Sequence, residues 1–284
     1  MTLHLYSAAK LNLTLRITGR REDGYHELRS LFYALSSVES LTITPLYGHN
    51  VKNDDIAVKG EKIFGRNILS EVLAFARQLG DVPPLRIRLV KAIPPGSGLG
   101  GGSGNAGALI SWISGHWGAS LMTGEEVGSD VPFFVRKFPW AIVRGRGEEI
   151  EPLSGPLPFR RAVVVIPRWK VSTKKAFTLL SQRWNDGFPR TSREAEEEIC
   201  QIVEGFSSNS SAGMLPNDFA PLLMELHPEY SRLFSLFKEA GAREWGISGS
   251  GSGAFGLFGR EVSPWLGIKR IEALSWVRKI LLVE

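Results

Sequence analysis

The segment from Ile93 to Ile110 combines a glycine-rich loop with the start of an apolar run that can form a helix. Glycine has no Cβ and tolerates positive φ, so such a loop can turn its backbone N–H groups inward around an anion. A helix that begins directly after the loop adds its unpaired N–H groups and the positive end of its dipole. An alternating strand over 85–91 leads into the loop. We therefore expect a polyphosphate site here, and a flexible linker is the less favoured alternative.

Two common phosphate-binding patterns do not account for this loop. Walker A requires a lysine at the end of the loop, and no lysine lies in or just after this one. The dinucleotide pattern Gly-x-Gly-x-x-Gly is met by Gly96, Gly98 and Gly101. Rossmann strands, however, read as continuous apolar runs, whereas this strand alternates Leu-Arg-Ile-Arg-Leu and indicates a sheet with one face in water. An NAD-binding oxidoreductase that uses this loop is kept as the alternative function.

Two ionisable residues outside the loop are candidates for catalysis. Lys10 interrupts an apolar strand pattern, and a lysine on a part-buried strand needs a counter-ion or an anionic ligand. Asp130 directly precedes the run Val-Pro-Phe-Phe, which we expect to be a strand. A carboxylate can receive the proton of a hydroxyl that attacks a phosphate, and a nearby ammonium keeps that carboxylate ionised. Taken singly, the two residues also fit a surface lysine and a turn aspartate.

Composition limits the class of protein. The chain has 284 residues, which is long enough for two modest domains. Of these residues 43% are hydrophobic, and the net charge is +5. Its single cysteine, Cys200, excludes an internal disulfide. No apolar run approaches the ~20 residues of a membrane span, and no signal-peptide pattern is present, so we expect a cytoplasmic protein with no membrane partner. The charge suits an anionic small molecule, and no basic block with interleaved aromatics indicates nucleic acid.

Hydrophobic periodicity predicts the elements that would position these residues. The first part is expected to contain strands over most of 1–45, among them 11–17 and 40–44, with a polar turn at 20–26. A loop-rich stretch over 46–62, a helix over 67–79, a strand over 85–91, a helix from the loop to 117 and a hairpin over 141–150 are expected to follow. Three prolines between 152 and 158 predict a boundary between a domain over 1–153 and one over 154–284. The second part is expected to contain a strand over 161–166, helices over 173–183, 192–204, 217–226 and 228–240, a loop over 207–213, a glycine-rich hairpin over 245–258, a helix over 264–274 and a strand over 276–283.

Five segments together resemble the GHMP small-molecule kinases. The loop is similar to their Pro-x-x-x-Gly-Leu-Gly motif with a serine shortly after it. The other segments, in the family's order along the chain, begin at Ser7 (Ser-Ala-Ala-Lys-Leu-Asn-Leu), Asp23 (Asp-Gly-Tyr-His), Asn217 (Asn-Asp-Phe) and Ser248 (Ser-Gly-Ser-Gly-Ser-Gly). The segments at Ser7 and Asp23 resemble the subfamily that phosphorylates 4-diphosphocytidyl-2-C-methyl-D-erythritol. The resemblance implies a two-domain α+β fold, with a first half like domain 2 of ribosomal protein S5 and a ferredoxin-like second half. It also implies transfer of the ATP γ-phosphoryl group to the substrate's 2-hydroxyl in the non-mevalonate isoprenoid pathway, with Mg²⁺ required.

The resemblance further implies roles for individual residues. Lys10 and Asp130 would be catalytic. ATP would bind at Pro94, Gly96, Gly98, Leu99, Gly100, Gly101, Gly102, Ser103 and Asn105, with Ser103 as the one candidate ligand of the metal. The substrate would lie against Asn12, Tyr25, His26, Phe32, Phe177, Ser248 and Gly249, where His26 reads the cytosine edge while Tyr25 and Phe177 stack on the ring. The expected partner is this cytidine diphosphate sugar alcohol, and the expected assembly is a monomer or a homodimer.

Another GHMP kinase, such as a mevalonate or homoserine kinase, is the nearer rival. Gly-Tyr-His and Phe177 argue against it, because those acceptors have no base on which an aromatic ring could stack. The chain also departs from the family pattern. Its loop ends Ser103-Gly-Asn-Ala-Gly where Ser-Ser-Asn-Ala-Ala is usual, and the segment over 118–129 is shorter than usual.

Overall fold

A computed structural model of the chain describes residues 2–48, 52–117, 122–155, 159, 161–185, 187–208 and 213–283. The chain divides into two units, the first made of residues 1–10, 34–95 and 100–139 and the second of 11–33, 96–99 and 140–284. The predicted domain boundary after residue 153 stays a prediction. Of the three prolines that suggested it, Pro156 and Pro158 lie outside the described residues.

Twelve strands and eight helices are interspersed along the described residues. In chain order they are β1 (Leu3–Asn12), β2 (Arg16–Arg20), β3 (His26–Pro45), β4 (Asp55–Gly60), α1 (Ile68–Leu79), β5 (Leu85–Lys91), α2 (Gly101–Trp117), α3 (Val131–Arg136), β6 (Trp140–Gly145), β7 (Glu149–Pro152), β8 (Arg161–Pro167), α4 (Thr173–Arg183), α5 (Ser192–Ser207), β9 (Gly213–Met214), α6 (Ala220–Leu226), α7 (Glu229–Glu239), β10 (Glu244–Ile247), β11 (Ala254–Phe258), α8 (Trp265–Glu272) and β12 (Val277–Val283). The predicted α+β class is confirmed.

The first unit is built on β5, which alternates strictly between buried and exposed residues. β5 pairs antiparallel with the end of β3 and parallel with β4. The predicted strand with one face in water is therefore confirmed. Helices α1 and α2 pack against each other, and their apolar residues join the buried face of β5 in one core. α1 begins as predicted, because the side chain of Asn67 accepts a hydrogen bond from the N–H of Leu69 at 3.1 Å.

The second unit contains a sheet in the order β12-β8-β11-β10-β9. β8 is an interior strand, as its run of buried residues requires, and pairs antiparallel with β11 and β12. The predicted glycine-rich hairpin is confirmed by the antiparallel pair β10 and β11. Helices α6, α7 and α8 contribute buried residues to the core of this sheet. The first half of β3 pairs with β2 and β6 in the same unit, and β6 continues into β7 as the predicted hairpin.

The prediction of a strand directly after Asp130 is wrong. Residues Val131–Arg136 form helix α3, with Pro132 in the first turn, where its missing N–H is not needed. A short apolar run has the same appearance in a buried strand and in a buried helix. Val131 and Phe134 are both buried in α3, which packs against α2.

Two other expectations are also corrected. The stretch over 46–62 contains β4, which alternation could not reveal because most of its side chains are exposed. The strand expected over 11–17 is interrupted between β1 and β2, where Leu15 instead bonds through its N–H to the carbonyl of Pro216 at 3.0 Å. Most of the loop expected over 207–213 lies outside the described residues. Helix α5 ends at Ser207, where that loop was expected to begin.

No helix within the described ranges is both long and apolar enough to cross a membrane.

A buried ion pair joins β2 to the segment before α6 in the second unit. The guanidinium of Arg16 donates to Asp218 Oδ1 at 2.6 Å and to both carboxylate oxygens of Glu198 on α5, at 2.6 and 2.7 Å. The N–H of Ile17 donates to Asp218 Oδ2 at 2.8 Å. Because only 3% of the Asp218 side chain is exposed, its negative charge must be stabilised by Arg16 and by the N–H of Ile17.

We expect Arg16→Met to lower the free energy of unfolding by about 3–5 kcal/mol, because it leaves Asp218 as an uncompensated buried charge. The matched control is Arg193→Met, which removes the exposed pair with Glu197 on α5 and should change stability by less than ~0.5 kcal/mol. Urea denaturation followed by circular dichroism measures both. Equal losses in the two variants would contradict the assignment.

Candidate active site

Three glycines of the loop adopt a left-handed backbone conformation. Gly96, Gly98 and Gly100 have φ values of +79°, +76° and +62°, a region that other residues adopt only with strain. Helix α2 begins directly afterwards at Gly101, with no acidic residue in its first turn. The unpaired N–H groups of this 17-residue helix and the positive end of its dipole are therefore not countered by a carboxylate of that turn.

The two glycines that depart from the family pattern lie where a Cβ has no room. A Cβ on Gly104 would collide with the carbonyl oxygen of Ala8 on β1. A Cβ on Gly107 would lie 2.5 Å from Cβ of Phe134 on α3. Helix α2 thus packs closer to β1 and α3 than serine and alanine at these two positions would allow.

Lys10 and Asp130 lie together in the first unit. Lys10 Nζ is 3.6 Å from Asp130 Oδ2, and the two side chains are 7% and 28% exposed. Asp130 occupies the N-cap position of α3 but makes no capping hydrogen bond. Lys10 also lies against the loop, since a Cβ on Gly100 would be 3.0 Å from its Cγ. The structure therefore brings an ammonium, a partly accessible carboxylate and the glycine loop together.

In the second unit, Ser248 connects Asn12 to the middle of the loop. The Asn12 N–H donates to Ser248 Oγ at 3.0 Å, and Ser248 Oγ donates to the carbonyl of Gly98 at 3.1 Å. Asn217 fixes the same turn by donating to the carbonyls of Ile247 at 2.7 Å and Gly249 at 2.9 Å. The segment at Ser248 therefore supports the loop through hydrogen bonds within this unit.

Several aromatic side chains lie at and next to the predicted base-reading turn in the second unit. The rings of His26 and Phe177 are stacked, with centroids 4.3 Å apart and planes 17° apart, and Phe219 packs edge-on against Phe177. Tyr25 is 56% exposed, and the guanidinium of Arg146 lies 5.4 Å from its ring centroid. Burial and the nearby charge of Arg20 hold the pKa of His26 below its usual range, which favours the neutral imidazole at pH 7.

Several predicted site residues are buried. The side chains of Asn105, Phe32 and Leu99 lie inside the fold, with 1%, 4% and 0% of their surface exposed, and Pro94 is buried as well. Asn105 uses both ends of its amide within the first unit, where it accepts from Ser7 Oγ at 2.6 Å and donates to Glu39 Oε2 at 2.7 Å. Direct contacts of these residues with a ligand stay predictions.

Glu39, whose carboxylate binds both Lys91 and Asn105, was not predicted from the sequence. The available signal was a glutamate on the same strand face as the apolar residues Leu41 and Ile43. For a metal, no group of three or more His, Cys, Asp or Glu side chains suits an ion anywhere in the described ranges. Ser103 lies half-buried in the first turn of α2.

Comparison with known proteins places this geometry in a family. The model of the GHMP kinases N terminal domain matches residues 67–136, which include the glycine loop and Asp130. The model of the GHMP kinases C terminal domain matches residues 196–264. A 4-diphosphocytidyl-2-C-methyl-D-erythritol kinase of Leptospira interrogans is 30% identical over 273 residues, which cover 89% of this chain and 91% of that protein.

The chain belongs to the 4-diphosphocytidyl-2-C-methyl-D-erythritol kinase family. A member from Solibacter usitatus is 34% identical over 90% of this chain and 81% of its own length. The chloroplastic member of Arabidopsis thaliana is 31% identical over 90% of this chain and 67% of its own length.

A crystal structure of a 4-(cytidine 5'-diphospho)-2C-methyl-D-erythritol kinase superposes with a TM-score of 0.80 and 28% identity, and the match covers 99% of this chain and 98% of that one. The homoserine kinase of Cytophaga hutchinsonii shares the fold, with a TM-score of 0.67 at 18% identity over 100% of this chain and 94% of that one. The predicted GHMP kinase fold is confirmed. None of these findings supports the alternative of an NAD-binding oxidoreductase.

We expect Gly100→Val to weaken ATP binding by about tenfold or more, because a side chain at φ +62° strains the loop and presses on Lys10. The matched control is Gly115→Ala near the end of α2, the helix that follows the loop, where a Cβ meets nothing within 4 Å. Isothermal titration calorimetry with ATP measures both variants. Unchanged affinity in Gly100→Val would mean that the loop does not hold ATP.

Proposed function

We propose that this chain transfers the γ-phosphoryl group of ATP to the 2-hydroxyl of 4-diphosphocytidyl-2-C-methyl-D-erythritol, a step of the non-mevalonate isoprenoid pathway. The names of its relatives support the substrate. The observation that carries the reaction type is the Lys10–Asp130 pair, which lies beside a glycine loop and a helix N-terminus. That combination supplies a proton acceptor, a positive charge and a phosphate cradle.

Each of these groups has a distinct task in the proposed reaction. The 2-hydroxyl oxygen forms a bond to the γ-phosphorus while the bond from that phosphorus to the β,γ-bridging oxygen breaks, and ADP leaves. The hydroxyl proton passes to a carboxylate oxygen of Asp130. Lys10 stabilises the negative charge that grows on the transferred group. Backbone N–H groups of the loop and of the first turn of α2 hold the phosphates.

The donor set fits a magnesium ion that is bound mainly by the nucleotide. Mg²⁺ usually keeps several waters and takes only one or two protein ligands besides substrate phosphates. Ser103 offers a hydroxyl in the first turn of α2, which agrees with a metal that needs no three-residue cluster. The ion would neutralise charge on the β- and γ-phosphate oxygens.

Base recognition distinguishes this function from that of other GHMP kinases. The neutral imidazole of His26 can donate one hydrogen bond and accept another, which suits the edge of a cytosine. Phe177 lies beside this imidazole, stacked on the His26 ring and held edge-on by Phe219, and Tyr25 is exposed. A mevalonate or homoserine acceptor would leave these aromatic groups unused, so we favour the cytidine substrate.

The proposed function predicts acceptor selectivity. The purified chain with Mg-ATP should form one ADP and one new phosphomonoester per 4-diphosphocytidyl-2-C-methyl-D-erythritol consumed, as read by ³¹P NMR, and should leave mevalonate and homoserine unchanged. His26→Ala should raise KM for the cytidine substrate by about tenfold, because base contacts are worth ~1–3 kcal/mol, and should leave KM for ATP unchanged. His4→Ala, at an exposed strand histidine, is the matched control. Phosphorylation of mevalonate or homoserine instead would overturn the assignment.

The catalytic pair predicts a non-additive loss of rate. Asp130→Asn and Lys10→Met should each lower kcat by about 10²-fold or more, while ATP still binds. The double variant should lose little beyond the worse single variant, because the two groups act as one unit. Asp55→Asn, which disrupts the exposed pairs with Arg86 and Arg88 in the same unit, should keep full activity. Fully additive losses in steady-state kinetics would rule out the pairing.

A further inference from the structure

Glu39 on β3 is a buried carboxylate for which the proposed reaction has no use. Its side chain is 1% exposed and pairs with Lys91, whose Nζ lies 3.0 Å from both carboxylate oxygens. Placing a carboxylate in this interior is costly, so all of its hydrogen-bonding capacity must be satisfied nearby. The identity of its remaining donors shows what the residue positions.

The remaining donors come from both ends of the glycine loop. At the beginning, the N–H groups of Ala92 and Ile93 donate to Glu39 Oε1 at 2.9 and 2.7 Å. These two residues directly follow the end of β5 at Lys91. Their N–H groups lie beyond the paired part of the strand, and the Glu39 carboxylate accepts their hydrogen bonds there. At the far end, Asn105 Nδ2 donates to Glu39 Oε2 at 2.7 Å from the second turn of α2.

The same network reaches the strand that carries Lys10. Asn105 Oδ1 accepts from Ser7 Oγ at 2.6 Å, and the neighbouring carbonyl of Ala8 packs against Gly104 of α2. Lys10 follows on the same strand, β1. One buried carboxylate thus holds the start of the loop and, through one amide, both the loop's helix and β1.

We infer that Glu39 is a positioning residue for nucleotide binding, because it fixes the separation and direction of the two ends of the glycine loop. This inference rests on the proposed function, in which the loop holds ATP. A loop whose ends are fixed before the nucleotide arrives loses less conformational entropy on binding. Glu39 itself touches no substrate.

Glu39→Gln tests the inference with almost no change in side-chain volume. The amide has one acceptor oxygen and one donor nitrogen, so either orientation sets two donors against each other. If its nitrogen replaces Oε1, it faces the N–H groups of Ala92 and Ile93, and if it replaces Oε2, it faces Asn105. One end of the loop is released in either case.

We expect Glu39→Gln to raise KM for ATP by about tenfold or more and to change KM for the cytidine substrate by less than about twofold. The matched control is Ile87→Ala, a core truncation in β5, which should lower Tm but leave both KM values unchanged. Both variants are measured at a temperature where circular dichroism shows them to be folded. Equal increases in both KM values, or an increase in KM for ATP in the control, would make the role of Glu39 merely structural.

Hydrogen exchange of the wild-type chain gives a second test that needs no variant. The amides of Ala92 and Ile93 should exchange as slowly as those within β5 although they lie beyond its end, and rapid exchange would overturn the inference. The wild-type transfer assay separates this result from a failure of the proposed function. A chain that shows slow exchange and no phosphoryl transfer would retain the fixed loop and lose the kinase assignment.

Discussion

Charges that are buried must be neutralised close by, and this constraint organises both units. Glu39 with Lys91 and Arg16 with Asp218 form short pairs of 3.0 and 2.6 Å whose members are almost fully enclosed. Each pair is completed by backbone N–H groups, which is the arrangement that makes a buried ion pair tolerable. The Lys10–Asp130 pair differs, because it is longer, at 3.6 Å, and its carboxylate is 28% exposed. The looser pair leaves its carboxylate accessible, as the proposed proton acceptor must be, whereas the tight pairs hold backbone in place.

The loop depends on those fixed surroundings. Glycines at positive φ make its backbone permissive, and permissive backbone does not by itself define a binding geometry. The conformation of the loop is limited at its two ends by hydrogen bonds to Glu39. It is also limited by Ser248, which accepts a hydrogen bond from Asn12 and donates one to the carbonyl of Gly98. The chain thus combines a backbone that can approach an anion closely with side chains that limit where it can go.

Local patterns predicted most of this fold and the types of residue at the candidate site. Strict alternation found β5, an asparagine cap located α1, and the glycine-rich hairpin between β10 and β11 was visible in the sequence. The short apolar run in α3 was assigned to a strand because burial on all sides removes periodicity. The strand β4 was missed because most of its side chains are exposed, so it shows no alternation although its backbone pairs with β5.

Long-range polar pairing was beyond reach of local patterns. Glu39 and Asn105 are 66 residues apart, and Arg16 and Asp218 are 202 apart. The expectation that Lys10 and Asp130 act together rested on the chemistry of a carboxylate beside an ammonium and on the resemblance, and the structure brings these two side chains together. Their catalytic roles, and those of the residues expected to contact ATP or cytidine, stay predictions.

The close packing at Gly104 and Gly107 has a consequence for exchanging parts between relatives. A chimera that carries the usual Ser-Ser-Asn-Ala-Ala sequence at 103–107 would direct new atoms at the carbonyl of Ala8 and at Phe134. The loop with α2, the strand β1 and the helix α3 must therefore be exchanged together. The effect of a substitution in one of these three segments depends on the residues present in the other two, although they are far apart along the chain.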